Sequence, residues 1–178
     1  MKSFLSFLLI SLTVLVARPD SSSQVQSQPR IDEIVLEETA GLKLTSPGGF
    51  YGTASKVTFQ RDGMALYAGS RNVKLIGSYQ GTISADEFEK LVKFVNDKNY
   101  SRIPDDPLQG SRTADGAERD VLKPRTTITI TFEGGGRKTI SRLTDLSPPE
   151  RETVPKALLE IEQAILDASA RIKWREVE

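Results

Sequence analysis

The feature that most constrains the fold is a regular alternation of apolar and polar residues in Arg125–Phe132. Ile128 and Ile130 fall on one face of an extended chain, and threonines separate them. Alternation of this kind predicts a β-strand with one buried face. A glycine-rich turn follows, and Arg137–Leu143 has a second strand-like pattern. The two segments predict a β-hairpin, so part of the domain is an antiparallel sheet.

Other segments extend this sheet. The residues Arg61-Asp62-Gly63 form a hairpin turn signal between two short alternating segments. Four further strands are predicted: Ile31–Glu38, Lys56–Gln60, Met64–Ala68 and Asn72–Tyr79.

Two helices are predicted from the spacing of their apolar residues. Ser84 is followed three residues later by Glu87, which is a capping-box pattern, and apolar residues then recur every three or four positions up to Lys98. The segment Val154–Arg171 has the same periodicity, with Pro155 tolerated in its first turn. Each helix has a single apolar stripe, which favours packing on one face of a sheet.

The predicted fold class is therefore α+β, with two layers: an antiparallel sheet of hairpins and two amphipathic helices on one face. The other face is predicted to include Thr126, Thr127, Thr129 and Thr131. A threonine-rich exposed strand is typical of a solvated sheet face. A ligand-binding or partner-binding role for this face is the alternative.

The N-terminus has the pattern of a secretory signal peptide. Lys2 precedes an apolar run, Phe4–Ala17, which is shorter than the ~20 residues of a membrane-spanning helix. We predict a signal peptide at residues 1–17, with cleavage after Ala17 or within Ser21–Ser23. The expected location is periplasmic or extracellular, with membrane attachment only through an uncleaved signal segment.

The remaining chain is predicted to contain one domain. Residues 18–30 are rich in Ser, Gln and Pro, and this composition predicts a disordered linker. A single α+β domain is predicted at residues 31–178, with a long loop at about 100–123.

Composition excludes several classes of function. The chain has no cysteine and no histidine, which removes Ser-His-Asp triads, cysteine nucleophiles and the usual zinc and haem sites. Its 24 basic and 24 acidic residues give a formal charge of zero, so the basic footprint of a nucleic-acid binder is missing. We therefore expect no nucleic-acid partner, no cofactor, no metal site and no recognised catalytic residue.

Several short motifs together resemble a bacterial protein family. They are the loop Gly49-Phe50-Tyr51-Gly52-Thr53-Ala54, the turn Asp62-Gly63, a strand with Tyr67 and Gly69, the capped helix with Phe88 and Leu91, and the pair Lys173-Trp174. Over about Ile31–Trp174 the chain resembles the domain-of-unknown-function 6438 family. The resemblance implies this fold and an exported protein, and it implies no known activity.

The chain departs from that family in the glycine-rich loop. Family members have a Cys-Tyr-Gly-Thr-Cys-Pro loop, and Phe50, Ala54 and Ser55 occupy the positions of its two cysteines and its proline. If the paired cysteines of relatives form a disulfide, a redox site or a metal site, this chain lacks that function. We expect packing of Phe50 and Tyr51 to hold the loop instead.

Two loops contain the candidate binding residues. In the first, Gly48–Ala54, the candidates are Phe50, Tyr51 and Gly52, which would form a tip suited to a protein or glycan partner. The second loop, at about 100–123, has no regular periodicity, and long connections of this kind are either functional or disordered. Its candidate residues are Asp105, Asp106, Arg112 and Asp115.

Two functional interpretations stay open. The first is a non-enzymatic binding or structural module of the bacterial cell envelope, with an envelope protein or a glycan as partner. The second is a small-molecule or metal-ion binder, or a carboxylate-dependent hydrolase, that uses acidic residues of the 100–123 loop. Convergence of three or more carboxylates would favour the second, whereas a bare sheet edge or loop tip would favour the first.

Overall fold

The fold is seen in a computed structural model of the chain. The structure describes residues 29–40, 52–70, 73–107 and 123–178. The predicted signal peptide and all but the last two residues of the predicted linker lie outside the described residues.

The described residues form a sheet and three helices. The strands are β1 (Ile31–Ala40), β2 (Gly52–Gln60), β3 (Met64–Gly69), β4 (Gly77–Thr82), β5 (Arg125–Phe132), β6 (Arg137–Leu143) and β7 (Arg175–Glu176). The helices are α1 (Ala85–Asp97), α2 (Pro148–Thr153) and α3 (Lys156–Arg171). Among these described helices, none has the length and apolar content that crossing a membrane requires.

The strands form one antiparallel sheet in the order β6-β5-β1-β2-β3-β4-β7. The first strand lies in its interior, with one predicted hairpin added on each side. Helix α1 connects β4 to β5 across the sheet, and α3 returns the chain to β7 beside β4. The arrangement confirms the predicted α+β fold.

The hydrophobic core lies between one face of the sheet and the helices. Alternate sheet residues are buried there, including Ile34, Leu36, Phe59, Ile128 and Ile130. The stripes of α1 and α3 pack against them through Phe88, Leu91, Val95, Leu158, Ile161 and Ile165. This packing confirms that both predicted amphipathic helices cover the same face.

The start of α1 follows the predicted capping pattern. The Glu87 backbone N–H donates to the Ser84 side-chain oxygen at 3.2 Å. This bond satisfies one of the amides that a helix N-terminus leaves free. The capped turn directs Phe88 onto the sheet, where it is buried.

The predicted strand Asn72–Tyr79 is wrong in position. The strand in this region begins at Gly77, and residues 73–75 form a bend. The carbonyl of Leu75 and the side chain of Val73 both lie close to Gly69. The side chain of Val73 and the backbone of Leu75 therefore lie over the end of β3 and are not part of a strand.

The second predicted helix, Val154–Arg171, is confirmed as α3, which begins two residues later, and a short helix that the sequence did not predict, α2, precedes it. Val154 and Pro155 separate α2 from α3, and Val154 has extended backbone with ψ 126°. The residue before a proline disfavours helical backbone, and proline has no N–H for an internal helical hydrogen bond. Pro155 thus precedes α3 and does not belong to its first turn.

The predicted placement of Thr126 on the exposed face is also wrong. Its side chain is 4% exposed and lies on the same face as Ile128, two residues along β5. The other three threonines, Thr127, Thr129 and Thr131, lie on the opposite face, as the pattern predicts.

A buried tyrosine fixes the chain after α1. Tyr100 lies in a short 3-10 turn, and its hydroxyl donates to the Ile128 carbonyl at 2.7 Å. Burial is the main cause that raises the pKa of this phenol above its ordinary value, and Asp105 adds to the effect. The start of the predicted long loop is therefore part of the core.

This burial makes the protein sensitive to alkali. A raised phenol pKa stabilises the folded state fully below pH 10.0, and that stability is lost as pH rises towards the raised value. We expect unfolding free energy to fall by about 1.4 kcal/mol per pH unit in that window. Urea unfolding between neutral and alkaline pH measures the slope. Tyr100→Phe should reduce it markedly, and the part that is left belongs to Tyr67, whose pKa is also raised. Tyr79→Phe, at a half-buried site, should keep the slope, and equal slopes in all three proteins would contradict the assignment.

Candidate binding site

The face of the sheet that the helices leave uncovered is one candidate surface, named here the helix-free face. Its residues form rows across the strands. One row is Thr139, Thr129, Val35, Thr58, Leu66 and Gln80, and the next is Ser141, Thr127, Glu37, Lys56, Ala68 and Ser78. Hydroxyl and amide groups dominate these rows, and they cross-link neighbouring strands: Thr129 and Thr139 are 3.1 Å apart at their side-chain oxygens.

A hollow interrupts this face over β2, β3 and β4. Its volume is about 470 Å³, and Leu66, Ala68 and Val177 supply its apolar part. Leu66 is 37% exposed and Val177 48% exposed. Exposed Gln80 and Ser78 and half-buried Gln60 surround them, and Thr58 lies buried beneath at 6% exposure. The hollow thus has an apolar centre inside a polar rim.

Two charged residues flank the hollow. Glu33 accepts hydrogen bonds from Gln60 at 3.4 Å and from Thr131 at 3.3 Å, so its position is fixed. Lys56 is exposed, and within the described part of the chain its ammonium group makes no ion pair. A ligand in the hollow would therefore meet the ammonium group of Lys56 beside apolar surface.

A second candidate lies on the helix-covered face, and we name it the polar row. It consists of Arg142, Thr126, Glu38 and Ser55, which are direct neighbours on β6, β5, β1 and β2. Arg142 forms a two-bond ion pair with Glu162 of α3, at 2.6 and 2.5 Å. The Ser55 hydroxyl donates to the Glu38 carboxylate at 2.7 Å. The apolar core therefore ends in a line of polar side chains.

An aromatic cluster adjoins the polar row. The ring of Tyr67 packs against Tyr79 at 6.0 Å and against Trp174 at 5.7 Å between ring centroids. Gly69 of β3 is the paired neighbour of Ser55, and the absence of a side chain at Gly69 leaves room for the Tyr67 ring. Burial, then the charge of Glu38 and the neighbouring Tyr79, raise the pKa of Tyr67.

Four of the sequence-predicted site residues, Phe50, Tyr51, Arg112 and Asp115, lie outside the described residues. Gly52 is the first residue of β2. Those predictions stay untested.

The structure places the two predicted aspartates after the 3-10 turn. The Asp105 carboxylate pairs with Lys138 at 2.8 Å, and its carbonyl accepts from the Ser141 N–H of β6 at 3.1 Å. Asp105 thus fixes the chain to the sheet edge. Within the described ranges, no three acidic residues gather as a metal site would require.

Both predicted binding loops are attached at one end of the sheet. Thr39, near the end of β1, pairs with Thr53 of β2 and with Arg125 of β5. Thr53 lies at the end of the first predicted loop, and Arg125 follows the second. Their pairing with Thr39 therefore places one attachment of each loop at the end of the sheet that contains the polar row. The sequence predicts both loops, but it does not predict that they attach side by side, because that arrangement depends on the order of the strands.

A family model described as "Domain of unknown function (DUF6438)" matches residues 53–169, about two thirds of the chain. The chain belongs to the DUF6438 family. No curated protein gives a significant match. The DUF6438 match contains most residues of the hollow, Arg142, Tyr67 and Tyr79, whereas Glu33, Glu38, Trp174 and Val177 lie outside it.

The structure explains three residues of the DUF6438 resemblance. Tyr67 and Gly69 lie on the same face of β3, and the tyrosine ring leans over the glycine. Trp174 also packs against the Tyr67 ring. The Tyr-x-Gly spacing and the C-terminal tryptophan thus belong to one packing unit.

Proposed function

We propose that the protein is an exported, non-enzymatic binding module that docks a protein of the cell envelope on its helix-free face. The N-terminal signal pattern supports export. The composition, without histidine or cysteine, supports binding over the commonest catalytic chemistries.

The observation that carries the proposal is the hollow around Leu66. Protein interfaces commonly have an apolar core and a polar rim. Leu66, Ala68 and Val177 provide such a core, and the glutamines and hydroxyls around them provide the rim. A hollow of about 470 Å³ accepts an apolar side chain of the partner as an anchor.

Electrostatics adds a preference to this surface. Lys56 is exposed beside the hollow, and Glu33 is already held by Thr131 and Gln60. A partner segment with a carboxylate near an apolar anchor would match Lys56 without displacing existing bonds. Rim charges of this type contribute to partner choice and association rate.

Site-specific photo-crosslinking tests the proposal in cells that naturally produce the protein. A benzophenone amino acid replaces Leu66 in one variant and Leu159, on α3, in a control. The two leucines are similarly exposed, at 37% and 40%. We expect one reproducible protein adduct from position 66 and none from position 159. Once that partner is purified, Leu66→Glu should raise its dissociation constant about tenfold or more.

Three results would overturn this proposal. They are equal adducts from both positions, an adduct that consists of glycan, and unchanged affinity of the purified partner for Leu66→Glu. Leu159→Glu is the matched control, because it adds the same charge to the opposite layer.

A further inference from the structure

Thr126 is a buried polar residue whose hydroxyl has no partner among the described residues. Its side chain is 4% exposed, and in the described part of the chain the hydroxyl makes no hydrogen bond. Buried hydroxyl groups nearly always have partners, since an unpaired one destabilises the fold. A valine of the same shape would fill this position without that penalty.

Glu38, the next residue along the polar row, also has spare bonding capacity. Ser55 donates to one of its carboxylate oxygens, Oε2. No described group donates to Oε1. Glu38 and Thr126 are paired neighbours on β1 and β5, so an acceptor and a hydroxyl lie side by side.

The charges around this pair favour a cation. Arg142 is neutralised by its two bonds to Glu162. The negative charge of Glu38 has no cationic partner among the described residues. On the other side, the Tyr67 ring packs over Gly69, which is the register neighbour of Ser55, so the ring borders the polar row. The charge of Glu38 also helps to raise the pKa of the Tyr67 hydroxyl. Aromatic faces also attract cations.

We propose that the polar row is a binding site for an alkylammonium group, as carried by a lysine side chain or a small organic amine. The three ammonium protons match Glu38 Oε1, the Thr126 hydroxyl and the Tyr67 hydroxyl as acceptors. The alkyl stem packs against the aromatic cluster. Glu38 and Thr126 lie on the opposite face of the sheet from Leu66 and do not line the hollow, whereas Tyr67 borders both sites. The Glu38→Gln and Leu66→Glu variants therefore test the two proposals separately.

A divalent metal fits the same groups less well. Calcium takes six to eight oxygen ligands, commonly with several carboxylates. The polar row offers one unpaired carboxylate, and within the described ranges no group of three acidic residues is present. An organic cation needs fewer acceptors and uses the aromatic surface.

Titration of the mature protein with n-butylammonium chloride tests the site by NMR of backbone amides. Sodium chloride holds the ionic strength constant. We expect saturable shifts centred on Glu38, Ser55 and Thr126. Neutral n-butanol should give no such shifts, because it lacks the charge.

Matched variants separate binding from folding. Glu38→Gln is expected to raise the dissociation constant about tenfold. Glu37→Gln, which makes the same charge change on the helix-free face, should leave it unchanged. Thr126→Val should weaken binding severalfold while raising the midpoint of urea unfolding, an outcome opposite to simple damage.

Several outcomes would overturn the proposal. Shifts that do not saturate, equal responses to n-butanol, or equal loss with Glu37→Gln would each exclude an ammonium site. A response to calcium chloride larger than that to n-butylammonium would assign the row to a metal instead. Unchanged affinity in Thr126→Val would show that the Thr126 hydroxyl does not accept a bond from the ammonium group, which contradicts the proposed site.

Discussion

Glu162→Leu is expected to lower the free energy of unfolding by about 3–5 kcal/mol. The side chains of Arg142 and Glu162 are only 15% and 9% exposed. Two charge-assisted hydrogen bonds join them, at 2.6 and 2.5 Å. Removal of the carboxylate leaves the guanidinium charge buried and uncompensated, and this desolvation is the physical cause of the loss.

Urea unfolding of the single and double variants measures the effect. The double variant Arg142→Met/Glu162→Leu should recover most of the stability, because it removes both charges and keeps their volume. Lys93→Leu is the control, since its ion pair with Asp97 is exposed and contributes little. Equal losses in the double and the Glu162 single variant would contradict the interpretation that the unpaired charge is the cause.

Gly69→Ala is expected to destabilise the fold by about 1–3 kcal/mol or more, as overpacking does. A Cβ atom at this position would lie 2.1 Å from the Leu75 carbonyl oxygen and 3.0 Å from the Tyr67 ring. The first contact involves backbone, so no side-chain rotation relieves it. The bend after β3 and the aromatic cluster must both move.

Gly136→Ala is the matched control for this prediction. A Cβ at Gly136 meets no atom within 4 Å, and its substitution should change stability little. Thermal and urea unfolding measure both variants, and near-UV circular dichroism reports Trp174 packing against Tyr67. If the two alanine variants are equally stable, the close packing at Gly69 is wrong.

Much of the fold was within reach of the sequence because its signals are local. The alternation in Arg125–Phe132 and the cap at Ser84 each depend on neighbouring residues, and the strand and helix boundaries there agree with the structure. The prediction put Thr126 on the wrong face of the sheet because it treated every threonine of the strand as solvent-facing. Side chains two residues apart on a strand share a face, so Thr126 lies with Ile128 on the buried face.

Other features depend on contacts that are distant in sequence. The bend at residues 73–75 exists because this segment packs over Gly69, and local alternation cannot reveal that. The polar row joins four strands through their register. Its inward-facing Glu38 and Arg142 interrupt otherwise apolar positions, which was the sequence signal available for this site. Strand order was needed to place them together.

The helix-free face must be open in the free protein if it is to bind a partner, and thiol labelling measures this most directly. The chain has no natural cysteine, so Ser78→Cys and Val57→Cys each carry one probe. Ser78 is exposed on the helix-free face, and Val57 is 3% exposed on the covered face. We expect a maleimide to label the cysteine at position 78 about as fast as an unfolded thiol. The cysteine at position 57 should react about two orders of magnitude more slowly than the one at position 78, because its labelling requires opening of the core. Equal protection at both positions would contradict an open binding face.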